Sequence, residues 1–181
     1  MRASPASLER SGSGFTSSTH GVPAASSRMS TRPYPSHFAR ARRLFEARGL
    51  VCHGFRCPYL RWNEDTLTAL RQTGLLYDSS QVIAWNVAGE SETDTYRRVL
   101  DFYGAVPASA YPALPRRDRD LVRIPYCIPD DEALIDRMQF RTAAEINEPW
   151  LAILEETYRR GELFTLGLHP ERIHLCEAPL V

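Results

Sequence analysis

The chain has 181 residues, 43% hydrophobic and 24% charged, the profile of one soluble globular domain with room for a sizeable core. Basic and acidic side chains balance at 22 each, so no net field points to nucleic acid or an anionic membrane surface as a partner. No apolar run approaches the roughly 18–20 residues needed to cross a bilayer, and the first thirty residues lack the apolar core of a secretory signal, so the sequence as written reads as cytoplasmic.

All 22 basic residues are arginine, which we read as coding bias rather than function. The four cysteines, Cys52, Cys57, Cys127 and Cys176, form no Cys-x-x-Cys pair, so small buried thiols are expected in place of a disulfide framework or zinc ribbon.

Residues 1–35 are dominated by Ser, Ala, Pro, Gly, Thr and Arg. Such a segment buries too little apolar surface to offset its ordering entropy, so a disordered low-complexity tail is expected, of the kind a wrong start or a frameshift also produces. The folded part is expected over 36–181. Ser36 is a plausible N-cap for a helix that places Phe38, Ala41, Leu44 and Phe45 on one face and stops at Gly49.

A strand from Leu50 to Phe55 then delivers the chain to Arg56. Asn63 to Gly74 reads as a helix, with an N-cap, acidic residues in its first turn and a closing glycine. Leu75 to Ser79 reads as the next strand, and Val82 to Val87 as a short strand or an extended loop. Ser91 to Tyr103 is a capped helix with Tyr96, Val99, Leu100 and Tyr103 on one side.

Pro107 to Arg119 carries three prolines and a charged cluster, and so reads as a loop. Leu121 to Ile128 alternates as a strand and Glu132 to Met138 makes a short helix. A longer helix runs from about Asn147 to Arg160, and Glu162 to Leu168 is the last strand before a further helical start. Strands alternating with helices predict a parallel α/β sheet or barrel. A complete (β/α) barrel takes about 250 residues and eight strands, so the four or five strands here make an open sheet or an incomplete barrel.

Two stretches carry chemistry. Arg56 and Tyr59 flank Pro58 at the carboxyl end of a strand, the edge where α/β folds assemble ligand sites. A guanidinium there can hold a carboxylate in fixed orientation, and a backbone N–H beside proline can face an oxyanion; a tight turn with a surface arginine is the alternative. His169 follows an apolar run and precedes Pro170, where it can protonate a leaving amine or can simply be packed. His20, with Ala24 where a second ligand would stand, is a weak candidate metal ligand; a solvated tail histidine is the alternative.

Gly54-Phe-Arg-Cys-Pro-Tyr-Leu-Arg-Trp62, Leu75-Leu-Tyr-Asp-Ser-Ser80, Ile124-Pro-Tyr-Cys-Ile-Pro-Asp-Asp131 and Glu162-Leu-Phe-Thr-Leu-Gly-Leu-His-Pro-Glu-Arg172, in this order, resemble the polysaccharide deacetylase family (the NodB homology domain, carbohydrate esterase family 4). The resemblance spans about residues 36–178 and covers the carboxyl-terminal part of that domain. It implies an α/β fold, an incomplete distorted (β/α) barrel of the NodB type. It also implies metal-dependent removal of acetyl groups from an N- or O-acetylated saccharide or related amide.

By the same resemblance Arg56 would orient a catalytic aspartate and the Tyr59 N–H would stabilise the oxyanion. His169 would be the general acid, Leu168 would line the acetyl-methyl pocket, and Trp62 would contact the saccharide. Asp131, in the Asp130–Asp131 pair, would tune the catalytic groups. The family binds a divalent metal, zinc, through an Asp and two His in its first two motifs. This chain has no counterpart of the Thr-Phe-Asp-Asp-like first motif, and of the second only His20-Gly21. It is therefore expected to hold no zinc and to be impaired; the alternative is a non-catalytic truncated fragment or a saccharide-binding remnant.

Overall fold

A computed structural model describes residues 34–89 and 92–180. Among the described residues there are five α-helices: α1 (Tyr34–Glu46), α2 (Glu64–Gln72), α3 (Asp94–Tyr103), α4 (Ala143–Arg160) and α5 (Ile173–Leu180). Seven short strands accompany them: β1 (Gly54–Phe55), β2 (Tyr77–Asp78), β3 (Val82–Ala84), β4 (Val106–Pro107), β5 (Arg116–Asp118), β6 (Leu121–Arg123) and β7 (Tyr126–Ile128). The tail expected over 1–35, and His20 within it, lie outside the described residues apart from Tyr34 and Pro35, which open α1.

The strands form two small sheets, ordered β1-β2-β6-β5 and β4-β3-β7, and neither closes. Every pairing is parallel except β5 with β6. The two sheets continue one another: β2 runs through Ser79–Gln81 into β3, and β6 runs through Ile124–Pro125 into β7. Pro125 has no N–H for a ladder, and the single strand expected over Leu121–Ile128 divides there.

Local chemistry explains the helix ends. Asn63 Oδ1 accepts from the Thr66 N–H at 2.9 Å and the Thr66 hydroxyl reaches back to the Asn63 N–H at 3.4 Å, a reciprocal cap that starts α2. Thr142 and Glu145 cap α4 in the same way. That helix begins four residues before the expected Asn147. Pro149 suits the first turn of a helix, so it draws a sequence-based start toward itself; here it sits in the second turn and only the Glu145 carbonyl loses a helical donor.

The stretch expected as a loop, Pro107–Arg119, contributes Pro107 to β4 and forms β5, which turns through Arg119–Asp120 into β6. Its charged side chains carry no alternating apolar signal, and the pairing with β6 supplies the order instead. Glu162–Leu168 enters no ladder. Instead Leu163 N–H donates to the Ala113 carbonyl at 2.8 Å. The Thr165 hydroxyl accepts from Cys127 N–H and donates to the Pro125 carbonyl, each at 2.9 Å.

Four apolar clusters hold these elements. Leu67, Leu70, Leu75 and Leu121 seat α2 against β6. Leu60, Val82, Tyr126 and Ile128 join the first turn after β1 to β3 and β7. Ile83, Trp85, Ala108, Ala113, Cys127 and Ile153 pack α4 on the sheet, and Tyr96, Leu134, Ile146, Trp150 and Cys176 join α3, α4 and α5. The cysteines are free, Cys127 and Cys176 buried and Cys52 and Cys57 half-buried. No described helix is long and apolar enough to cross a membrane.

Candidate functional site

Two loops at the carboxyl ends of strands β1 and β7, and a third after the extended stretch Glu162–Leu168, converge on one group of polar side chains. The first leaves β1 at Arg56 and turns through Pro58–Leu60. Tyr59 (φ 55°) and Leu60 (φ 54°) both adopt the left-handed conformation there. For residues with a Cβ this costs on the order of 1–2 kcal/mol each, so packing and hydrogen bonds must hold the turn. Leu60 is buried, Cys57 N–H donates to Ser80 Oγ at 2.8 Å, and the Cys57 thiol donates to the Arg61 carbonyl at 2.5 Å.

Arg56 does not meet a carboxylate among the described residues. Its Nε donates to the Ser79 carbonyl at 3.1 Å, its Nη2 donates to Ser79 Oγ at 3.0 Å, and its guanidinium lies 4.4 Å above the Tyr126 ring. Below it, Ser80 Oγ donates to Asp78 Oδ1 at 2.5 Å. Asp78 is fully buried beside Arg123, Oδ2 to Nε 2.8 Å, with the N–H not aimed along that line. Arg123 in turn stacks 4.0 Å over Trp62, which packs on the α2 cluster.

The second loop follows β7. A cis peptide precedes Pro129, and Asp130 and Asp131 then open the short wide-turned helix at Ala133–Arg137. Asp130 accepts from Tyr126 OH at 2.7 Å and from Ala133 N–H at 2.9 Å, and Trp150 Nε1 donates to the Pro129 carbonyl at 3.2 Å. Asp131 is fully buried and accepts from Glu132 N–H at 2.8 Å.

The third loop brings His169 onto Asp131. The His169 N–H donates to Asp131 Oδ2 at 2.5 Å, and Nδ1 lies 2.7 Å from Oδ1. A neighbouring N–H held by a carboxylate fixes the tautomer, so Nε2 becomes the atom that exchanges a proton. Burial pulls the His169 pKa down; the hydrogen bond to Asp131 and the charges of Asp131 and Asp130 more than offset it, and the net shift is upward. Burial pushes the Asp130 carboxyl up, against the Tyr126 and Ala133 hydrogen bonds that favour its charged form. Burial and the Asp130 charge together raise Tyr126.

Among the described residues, Asp130, Asp131 and His169 are the one group whose ligand atoms lie close enough to share a metal ion, within 4.8 Å of one another. The donor set does not fit that role. Asp131 Oδ1 already accepts from both Glu132 N–H and His169 Nδ1, its Oδ2 from His169 N–H, and each Asp130 oxygen from one donor. A cation on Asp131 Oδ1 or His169 Nδ1 would displace the hydrogen bond that places the histidine ring.

His169 and Asp131 are thus brought together, and Arg56 joins them through Tyr126 and Asp130. Tyr59 and Leu168 are exposed, at 76% and 37%, and Trp62 lies with Arg123. Sequence reasoning did not single out Tyr126, Ser79 or Gly167. Tyr126 stands in an alternating strand and carries only a core signal; Gly167 precedes Leu168-His169 and owes its identity to a close approach, since a Cβ there would sit 1.7 Å from Tyr126 OH. Comparison with protein-family models, with curated proteins and with solved structures finds no match to this chain.

Proposed function

We propose that Asp131 and His169 form the acid arm of a polysaccharide-deacetylase-type hydrolytic site, in a fold that corresponds to the carboxyl-terminal part of a distorted (β/α) barrel. The observation that carries this reading is the double hold of buried Asp131 on His169, backbone and ring together. It leaves Nε2 to deliver a proton to the nitrogen or oxygen that departs when an acetyl group is removed from a saccharide. Asp131 stabilises the imidazolium before transfer and keeps the ring aligned after it. Leu168, next to it and 37% exposed, offers an apolar surface to the acetyl methyl.

No described residue set activates water beside this arm, so these residues are expected to bind acetylated saccharide more readily than to turn it over. A saccharide-binding remnant is the second reading, favoured by the hydrogen bonds that already engage every oxygen of Asp130 and Asp131.

Titrating the protein with a chitooligosaccharide while following the His169 imidazole by NMR tests both. The expected result is a saturable change at His169 with little acetate released, with or without added zinc. No change at His169 overturns the site. One equivalent of tightly bound zinc together with acetate release overturns the expected impairment.

A further inference from the structure

The geometry points to Tyr126 as the positioning residue that sets the Arg56 arm and the His169 arm at a fixed separation, a role that rests on the acid-arm reading above. Tyr126 lies on β7, whose register against β3 pairs it with Val82, and its N–H donates to the Gln81 carbonyl at 2.8 Å. The ring is 4% exposed and therefore has one orientation available. Three contacts use three different parts of it.

The ring face carries the Arg56 guanidinium at 4.4 Å. The hydroxyl donates to Asp130 Oδ2 at 2.7 Å. The hydroxyl, Cζ and Cε2 lie against Gly167, at 1.7, 2.4 and 2.7 Å from where a Cβ would stand. Arg56 belongs to the loop after β1, Asp130 is bonded to Asp131, and Gly167 stands two residues before His169. One rigid side chain therefore gauges all three loops. A leucine of similar bulk would fill the space but would hold neither the cation nor the carboxylate.

The hydroxyl also acts on Asp130, whose charge reaches the imidazole that Asp131 holds. Asp130 is faced by Tyr126, the Ala133 N–H, Asp131 and Glu132, with Tyr96 and Tyr103 in its field. His169 is faced by Asp131, Asp130 and Arg172. Removing the Tyr126 hydroxyl takes away a hydrogen bond to the charged form of Asp130. The shift of Asp130 toward its protonated form weakens the negative field that Asp130 sets at His169.

Tyr126→Phe keeps the ring and its contact with Arg56 and removes only the hydroxyl. The expected result is a cooperative thermal transition and an NMR titration of His169 displaced to lower pH. Gly167→Ala, which drives a methyl into the hydroxyl, is expected to displace the same titration in the same direction with Tyr126 intact. A His169 titration in folded Tyr126→Phe that coincides with wild type overturns the proposal, because a ring that only fills space would leave it unmoved. A displaced titration in a protein whose His169 ignores chitooligosaccharide leaves the positioning role standing and removes the saccharide reading alone.

Discussion

Asp131→Asn isolates what the buried carboxylate contributes. The carboxylate accepts three hydrogen bonds, from Glu132 N–H, His169 N–H and His169 Nδ1. An amide offers one oxygen. If that oxygen takes the Oδ1 place, the new NH2 faces the His169 N–H and one bond to a charged acceptor is lost; in the other orientation two are lost. A bond to a charged group contributes about 1.5–3 kcal/mol, so the smaller loss is about 2 kcal/mol. For a chain of this length that corresponds to a Tm lower by about 4–8 °C.

A second part depends on pH. The folded His169 pKa is raised, so its stabilising contribution is complete below the unfolded value of about 6.5 and is lost as pH rises through the folded value. The His169 side chain is 38% exposed and its ion pair is screened accordingly, which holds this part below about 1 kcal/mol. Urea unfolding of wild type and variant at about pH 5.5 and about pH 9 should give a larger difference at the lower pH. Equal differences at both, a larger one at the higher pH, or a total under about 0.5 kcal/mol would show that Asp131 does not hold His169 as described.

Leu67→Ala removes a fully buried side chain from the cluster with Leu70, Leu75 and Leu121 and should cost about 3 kcal/mol in urea unfolding; a loss under about 1 kcal/mol would mean that α2 is not seated on the sheet. Thr142→Ala opens the cap of α4, where Thr142 Oγ1 accepts from Glu145 N–H at 3.3 Å and Glu145 returns to Thr142 N–H at 2.8 Å. The expected cost is about 1 kcal/mol, with Thr142→Ser close to wild type; an equal loss in both would place the effect outside the cap.

Helices were the legible part of this sequence because their signals are local. Asn63 and the closing Gly161 lie within a turn of the helices they bound, whereas the Thr142–Glu145 cap goes unread and the sequence-based start of α4 falls four residues late. The sheets were less legible because their order comes from partners far along the chain. Arg116–Asp118 becomes a strand only beside Leu121–Arg123, and Glu162–Leu168 looks like a strand but meets β7 through side-chain contacts without a backbone ladder. The site divides the same way. Arg56 and His169 stand out through residue type and neighbouring prolines and Asp131 only through the family resemblance, whereas Tyr126 becomes visible only when the loops that touch its ring are in place.

The attachment of residues 162–168 also has a kinetic consequence. A ladder opens by breaking many coupled backbone bonds at once; this stretch is fastened by separate contacts, Glu162 and Leu163 to Ala113, the Glu162 N–H to the Thr157 carbonyl, the Cys127 thiol to the Leu163 carbonyl, the Thr165 hydroxyl, the packing of Phe164 and Leu166 on the core clusters, and the grip of Asp131 on His169. A segment held outside any ladder can open locally, at a free energy below that of global unfolding. Its amides should therefore exchange with solvent ahead of those of β3 and β7, and His169 can leave and return to its place while the sheet stays folded.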